Sequence, residues 1–418
     1  MSTIAPLRTQ LAGYQRVLAI RDYRLLWSAG VVSTFGDRLT QIGFITLVFA
    51  MTGSDGSIGL ILTLTVLPRA VFGVFAGALA DRMSRKTLLI VTDCARALIV
   101  LVLALAAQLP LGAVYFLAVL MATVTAFFTP TRNAVLPDIV AEHELLTANT
   151  LDETSQSALD PVSYLVGGAL IAALGVRAGF GIDSVTFLAS AALIALTTAR
   201  GAPKWHAPRG GRSAAGVAEP ANVGLGLSTG FRAIWQDHVL RANTLLLVCA
   251  AAVASAETPL TSMLVLSHWQ RGAMGLGLFE ASLAVGFVLG ALVCGPVVDR
   301  LGKGPTILSG LIGTGVAMTA VAVLPFWPAV LLSAVSGVFN LLFFVPSLTL
   351  TQERAPGPVR ARVMSSRAAL MALALVFSYA AATALSAVFE ARLVMAALGL
   401  LLTAGTIVAC RAPALRYR

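Results

Sequence analysis

The stretch Gly77-Ala-Leu-Ala-Asp81-Arg82-Met-Ser-Arg85-Lys86 closes a long apolar run in the first part of the chain. The stretch Gly295-Pro-Val-Val-Asp299-Arg300-Leu-Gly302-Lys303 closes another apolar run 218 residues later. Both follow the pattern Gly-x-x-x-Asp-Arg-x-x-basic. A pattern of this length that returns after a similar apolar run indicates an internal repeat.

Two further echoes keep nearly the same offset. Phe127-Phe128-Thr129-Pro130-Thr131 returns 216 residues later as Phe343-Phe344-Val345-Pro346-Ser347. Asp37, just before Leu39-Thr40, corresponds to Glu257, just before Leu260-Thr261. Parallel repeats of this kind build the two halves of many transporters. We therefore predict an amino-terminal half at residues 1–200, a linker at 201–238 and a carboxy-terminal half at 239–418.

The composition indicates a membrane protein. The chain has 418 residues, of which 58% are hydrophobic and 11% charged, with a mean hydropathy of +0.87. Soluble domains carry about 25% charged residues, so a water-surrounded globule is excluded. A membrane span needs about 20 apolar residues and a helical backbone. We predict an all-α protein with twelve transmembrane helices, six in each half, at about 23–50, 57–80, 87–108, 111–130, 154–175, 180–200, 239–266, 274–298, 305–325, 328–350, 365–388 and 392–411.

The distribution of basic residues predicts the orientation. The formal net charge is +10, and most of the 29 Lys and Arg lie in the tails, in loops of one parity or in the span ends that face those loops. Cytoplasmic loops collect such residues, so we expect both termini inside, with the first span as an uncleaved anchor. The linker, with its Pro, Gly and Arg, is expected to lie on an anionic membrane surface. Its end, 229–239, suits a short amphipathic helix with Phe231, Ile234 and Trp235 as the apolar face.

The repeated stretch resembles the signature loop of the major facilitator superfamily, between its second and third helices and again in its second half. Other motifs resemble the superfamily's drug and siderophore exporter branch, of the enterobactin exporter and macrolide efflux type. They include Arg21-Asp22-Tyr23-Arg24-Leu25-Leu26-Trp27, Gly36-Asp37-Arg38-Leu39-Thr40 and Gln352-Glu353-Arg354-Ala355-Pro356. A fifth-helix pattern of antiporters is degraded, since Ser163-Tyr164 precedes Leu165-Val166-Gly167-Gly168.

The resemblance implies roles for the signature loops and for the cavity helices. It implies that six residues latch the cytoplasmic side when the protein opens outward: Asp81, Arg82, Arg85, Asp299, Arg300 and Lys303. A carboxylate there can accept bonds from the next helix's amino terminus. The alternative is a solvated loop that only fixes topology. The resemblance also implies that helices one, four, seven and ten line a central cavity.

Two carboxylates inside predicted spans are candidates for proton coupling. A charge near the bilayer centre costs on the order of 3 kcal/mol, so it is expected to face a cavity or a partner. Asp37 lies mid-span on a helical stripe with the candidate cavity residues Gln41 and Phe44, and Glu257 lies one turn from a third candidate, Thr261. Burial and nearby cations shift a carboxyl pKa in opposite senses, so alternating access can load and release a proton. The alternative for both carboxylates is a permanent partner that only stabilises helix packing, which for Asp37 would be Arg69 or Arg96.

Other polar residues in the spans have weaker assignments. Asp93 and Arg96 stand three residues apart on one face, which predicts a structural pair. Arg69 is a candidate contact for Asp37 or for an anionic substrate. Asn340 and Tyr379 are candidate cavity residues, with hydrogen bonding between helices as the alternative. Asp183 lies close to an outer helix end, where it receives no role.

Signals for other chemistry are missing from the sequence. His143, His206, His238 and His268 are isolated, so no metal site is expected. Because no phosphate-binding loop or nucleophile elbow occurs, we expect no cofactor and no enzymatic activity. The positive charge is explained by membrane topology, so no nucleic acid partner is expected.

The sequence thus predicts a secondary transporter in a bacterial-type cytoplasmic (inner) membrane. We expect a monomeric, proton-coupled exporter of small amphipathic molecules such as drugs, macrolides or siderophores, working by alternating access among membrane lipids. Its direction is implied by the resemblance alone. The alternatives are a lysophospholipid or lipid flippase of the same superfamily, with a lipid-like substrate, and a non-transporting receptor or assembly partner.

Overall fold

A computed structural model describes residues 13–80, 84–106, 108–198 and 223–410, without the side chains of 69–70, 72–80, 223–227 and 358. Within these ranges the chain is helical and contains no strand. Apolar runs of this length favour helices because a helix satisfies its backbone hydrogen bonds within itself. The predicted all-α fold class is confirmed.

The helices before the predicted linker are joined by short connections. Gly53 and Gly175, with φ of 61° and 85°, occupy turns where a left-handed backbone favours glycine. The Ser84 hydroxyl accepts the Thr87 amide at 3.1 Å and so caps the third helix. The helices are α1 (Arg21–Thr52), α2 (Asp55–Ala80), α3 (Arg85–Leu105), α4 (Leu111–Ile139), α5 (Leu145–Leu174) and α6 (Val176–Ala195).

The later helices begin with a short element of the predicted linker. They are α7 (Val223–Gln236), α8 (His238–Ala254), α9 (Glu257–Met263), α10 (Gly272–Leu301), α11 (Lys303–Val323), α12 (Phe326–Arg354), α13 (Arg360–Ser386) and α14 (Ala391–Ala409). A short π-helix, Leu264–His268, continues α9. The sequence analysis predicted one span over 239–266, and the structure has two helices there, α8 and α9. The break lies just before Pro259, because a proline ring inside a helix clashes with the carbonyl four residues earlier.

Ten helical stretches of the described part are long and apolar enough to cross a membrane. The first of the ten along the chain is α3, and the broken stretch His238–His268 counts as one of them. Helix α1 has 32 residues but carries charges at both Asp37 and Arg38 near its middle. The total of twelve spans therefore stays a prediction. Several helices outrun the predicted apolar segments, as α4 continues to Ile139, because a helix does not have to end where the apolar sequence ends.

The described residues fall into two compact units, one within Met1–Phe44 and Val71–Ala214 and the other within Ile45–Ala70 and Ala215–Arg418. In the first unit α3 packs on α4 and α6. In the second unit α11 packs on α12 and α14, which are the corresponding helices of the repeat. Each unit thus uses the same pairs of helices.

Glycines bring helices of the second unit into backbone contact. A Cβ atom at Gly315 of α11 would lie 2.7 Å from the Gly399 carbonyl oxygen of α14, and one at Gly399 would lie 2.6 Å from that of Gly315. Small residues permit this close approach in membranes, where lipid tails provide no hydrophobic drive to hold helices together.

Helix α7 confirms an element at the end of the linker but uses its apolar face differently from the prediction. Ile234 is buried and packs with Ala355, which directly follows α12, and with Val363 in the first turn of α13. Trp235 is 58% exposed. Ile234 therefore packs α7 against the protein, whereas the Trp235 side chain is exposed.

Candidate functional site

A fully buried guanidinium organises the polar interior of the first unit. Arg96 of α3 has no exposed side-chain surface and forms ion pairs with Asp93, one turn earlier, and with Asp37 of α1. The Asp37 contact, from Arg96 Nη1 to Oδ1, measures 3.3 Å. Ser190 of α6 donates to the other Asp93 oxygen at 2.7 Å. The two acids that the sequence analysis treated separately thus share one cation.

Aromatic rings hold the same guanidinium in place. The Arg96 Cζ atom lies 3.9 Å from the centroid of the Phe128 ring and 4.5 Å from that of Phe187. A ring face attracts a cation, and the attraction is stronger where water is excluded. Phe187 and Ser190 follow Asp183 on α6 at helical spacing, so one face of α6 supplies three contacts to this region.

The two acidic partners of Arg96 are buried to different extents. The Asp37 side chain is 32% exposed, whereas that of Asp93 is fully buried. Part of the Asp37 carboxylate is therefore accessible in this conformation, whereas that of Asp93 is enclosed. The geometry contains the Asp37–Arg96 contact that the sequence analysis considered as an alternative to proton coupling.

Asp183 of α6 joins this region, although the sequence analysis gave it no role. It is fully buried and accepts hydrogen bonds from the hydroxyls of Thr40 and Thr186, the latter at 3.0 Å. A Cβ atom at Gly36 of α1 would lie 2.2 Å from Asp183 Oδ1, so the carboxyl fills the space that glycine leaves. The stripe Asp183, Phe187 and Ser190 was the available signal in the sequence.

A second polar seam joins α1 to α5. Arg38 bonds both oxygens of Asp160, at 2.8 and 2.9 Å, in a fork geometry. The Tyr164 hydroxyl donates to Gln41 Oε1 at 3.1 Å. Phe44, another predicted cavity residue, is buried with its ring edge against Phe180 at 5.6 Å between centroids. Gln41 and Phe44 thus both contact neighbouring helices.

The second unit holds a buried carboxylate at the break between α8 and α9. Glu257 is 4% exposed and accepts the Ser336 hydroxyl of α12, at 3.0 Å to one oxygen and 3.2 Å to the other. Thr261, one turn later, has a buried hydroxyl without a hydrogen-bond partner among the described residues. Asn340 of α12 is partly exposed, and Tyr379 of α13 is buried.

The predicted latch residues are only partly within the described chain. Asp81, Arg82 and the Arg69 side chain lie outside the described residues. Arg85, the first residue of α3, bonds Asp138 at 2.7 Å. Lys303, the first residue of α11, pairs with Glu353.

Both acids stand next to the last residue of their helices, α4 and α12. The two halves therefore repeat one ion pair. Asp299 and Arg300 are exposed at the end of α10. Within the described part of the chain they form no ion pair with each other.

One buried arginine breaks the repeat. Asp152 is the eighth residue of α5 and pairs with Arg132 of α4, with one contact of 2.8 Å. Arg367 is the eighth residue of α13 and is 3% exposed. It donates to the Ser347 carbonyl at 2.7 Å and to the Thr351 hydroxyl. Neither partner carries a charge. The sequence analysis missed it because nothing in its local pattern marks it.

Comparison with known proteins identifies the family of this chain. The sequence model of the Major Facilitator Superfamily matches residues 26–288 and 268–415. Macrolide efflux protein A of Streptococcus pyogenes is 25% identical over 84% of this chain and 85% of its own length. The enterobactin exporter EntS of Salmonella typhi is 25% identical over 80% and 78%. The multidrug efflux pump Tap of Mycobacterium bovis is 27% identical over 94% and 93%.

Solved structures show the same fold. The nucleoside transporter NupG, solved as a point mutant, matches with a TM-score of 0.72 at 12% identity, over 92% of this chain and 99% of its own. A POT family transporter in complex with a thioalcohol-conjugated peptide matches with a TM-score of 0.73 at 12% identity, over 96% and 97%. Because the family model matches nearly the whole chain, this chain belongs to the Major Facilitator Superfamily and is a multi-pass membrane transporter.

Proposed function

We propose that the chain is a proton-coupled exporter of small amphipathic molecules, working by alternating access in the inner membrane of a bacterium with both termini inside. Its relatives include a macrolide efflux protein, an enterobactin exporter and a multidrug efflux pump. These names support export and a bulky, partly apolar substrate. Export against a concentration gradient needs an energy source, and a proton gradient suits a chain with acids inside its helices.

The proposal rests chiefly on one ion pair, between the partly exposed Asp37 and the buried Arg96. A carboxylate that shares its cation with a second acid is held less firmly than one with a cation of its own. A proton or a cationic group of a substrate can therefore replace Arg96 as the partner of Asp37. Glu257, buried with the Ser336 hydroxyl, is the second coupling candidate.

The signature loops are proposed to act as the cytoplasmic latch, with Asp81, Arg82, Arg85, Asp299, Arg300 and Lys303. The pairs Arg85–Asp138 and Lys303–Glu353 support this role because they fix the first residues of α3 and α11. The proposed cavity residues are Gln41, Phe44, Arg69, Thr261, Asn340 and Tyr379. The pair of Asp93 with Arg96 is proposed to be structural, and the working unit is proposed to be the monomer.

The test is proton movement in inside-out vesicles that contain the full chain. A macrolide, a siderophore and a lysophospholipid are added one at a time to an established pH gradient. We expect the macrolide or the siderophore to dissipate the gradient, and Asp37→Asn to abolish this while substrate binding remains measurable. Asp22→Asn is the matched control, because Asp22 bonds Thr198 near a helix end.

Each outcome separates the candidates. Unchanged uphill transport by Asp37→Asn removes Asp37 from the coupling mechanism. A response to the lysophospholipid alone favours the flippase. Transport of any compound without proton movement rules out proton coupling and leaves the transporter fold unaffected.

A further inference from the structure

The first unit buries more negative than positive charge around Arg96. Three carboxyl groups, of Asp37, Asp93 and Asp183, lie in this region with one guanidinium. The neighbouring Arg38 supplies no surplus charge, because Asp160 engages both arms of its fork. If all three carboxyl groups were ionised, two negative charges would stay uncompensated inside helices that cross a membrane.

Asp183 is the member of this group that lacks a cation. Arg96 forms ion pairs with Asp37 and Asp93, and among the described side chains Asp183 forms no ion pair. Its partners are the hydroxyls of Thr40 and Thr186. An ionised carboxylate that is buried with neutral partners alone is costly, and such a group becomes neutral by taking up a proton.

Thr40 connects Asp183 to the helix that carries Asp37. Thr40 stands three residues after Asp37 on α1, so both side chains lie on one face of the helix. A hydroxyl donates one hydrogen bond and accepts others. The Thr40 hydroxyl bonds Asp183, so α1 carries the partner of the buried carboxyl on the same face as the partly exposed Asp37. Gly36 lets α1 come close to the Asp183 carboxyl, because any Cβ atom at this position would collide with Asp183 Oδ1.

We propose that Asp183 is a further proton-binding carboxyl of this transporter, besides Asp37 and Glu257, and that it is protonated while Asp37 is paired with Arg96. The inference rests on the proposed function and deepens it. Displacement of Arg96 from Asp37, by a proton or by a cationic substrate, leaves the guanidinium free to act on Asp183 instead. The charged groups that act on Asp183 are Asp37 of α1 and Arg96 of α3, and Asp93 of α3 lies beside them on the same guanidinium.

The experiment is infrared spectroscopy of the purified full chain in lipid bilayers. A protonated carboxyl gives a carbonyl stretch that is separate from carboxylate bands and shifts in D₂O. We expect such a band at about pH 7, its loss in Asp183→Asn and its retention in Asp22→Asn. Addition of the transported substrate is expected to reduce the band.

Thr40→Val serves as a second variant if Asp183→Asn does not fold. It removes the hydroxyl that bonds Asp183 and keeps the carboxyl, so the band is expected to change frequency without disappearing. If wild type and Asp183→Asn have the same carboxyl spectrum between about pH 5 and pH 9, the proposal is overturned. The infrared readout needs no transport, so a protein that moves no protons in vesicles is distinguished from one in which Asp183 holds no proton.

Discussion

Arg96 illustrates how one residue fixes the chemistry of a membrane interior. Its planar guanidinium reaches two acids and lies against two aromatic rings. Lysine carries the same charge but offers neither a fork nor a flat face. The sequence predicted the pair of Asp93 and Arg96 because the two residues are three apart on one helix. It could not predict the bond between Thr40 and Asp183, which joins residues 143 positions apart.

Substitution of Arg96 tests the shared cation. Arg96→Met leaves Asp93 buried and without a cation, so we expect the free energy of unfolding to fall by roughly 3–5 kcal/mol. The double variant Arg96→Met with Asp93→Asn removes that stranded charge, so much of the loss should be recovered. Thermal unfolding in detergent measures both. Equal stabilities of the single and the double variant would contradict the ion-pair assignment.

At the scale of helices, the fifth and eleventh spans of the repeat carry opposite charges at one position. Asp152 of α5 pairs with Arg132, whereas Arg367 of α13 bonds a carbonyl and hydroxyls. The repeat was predictable from Pro130 and Pro346. The opposite charges at the two positions were not, because each charge depends on which side chain of the facing helix contacts that position.

The two positions should respond differently to loss of charge. Asp152→Asn strands the Arg132 guanidinium, so we expect a loss of about 2 kcal/mol in unfolding free energy. Arg367→Met removes an uncompensated charge and replaces it with an apolar chain of similar length, so the change should be smaller or even favourable. Chemical unfolding of both variants in one detergent makes the comparison. A larger loss for Arg367→Met would mean that its hydrogen bonds outweigh its buried charge.

The contact of α11 with α14 depends on two glycines, which the sequence showed only as a high glycine content. Gly399→Leu places a side chain against the Gly315 carbonyl, which cannot move aside. We expect a loss of about 3 kcal/mol, at the upper end for overpacking. Gly405→Leu is the matched control on the same helix, since a Cβ atom there meets nothing within 4 Å. The two melting temperatures in detergent should differ clearly, and equal values would contradict the packing.

At the scale of the whole molecule, the repeat was readable because each half must build the same helical pairs. The grouping of Ile45–Ala70 with the second unit could not be predicted from the sequence, because an apolar sequence does not specify which neighbouring helix it contacts. Within that unit a Cβ atom at Gly59 would lie 2.1 Å from the Thr383 hydroxyl of α13. This contact links residues far apart in the chain.

A compensating pair of substitutions tests this grouping. Gly59→Ala should lower the melting temperature, because its methyl group meets Thr383, and the added change Thr383→Gly should restore part of it. Gly56→Ala is the control, since only Ser54 lies near, at 3.6 Å. If Gly56→Ala and Gly59→Ala behave alike, with no rescue, the contact does not form in the folded protein.

The distance in sequence between Gly59 and Thr383 also bears on how the protein is made. The ribosome releases Thr383 more than 300 residues after Gly59, and at about 5–20 residues per second this takes roughly a quarter of a minute to a minute. During that interval Ile45–Ala70 lies in the membrane without its final neighbour. Its apolar surface is then covered by lipid or by the insertion machinery, and the last step of assembly waits for one of the last helices to emerge.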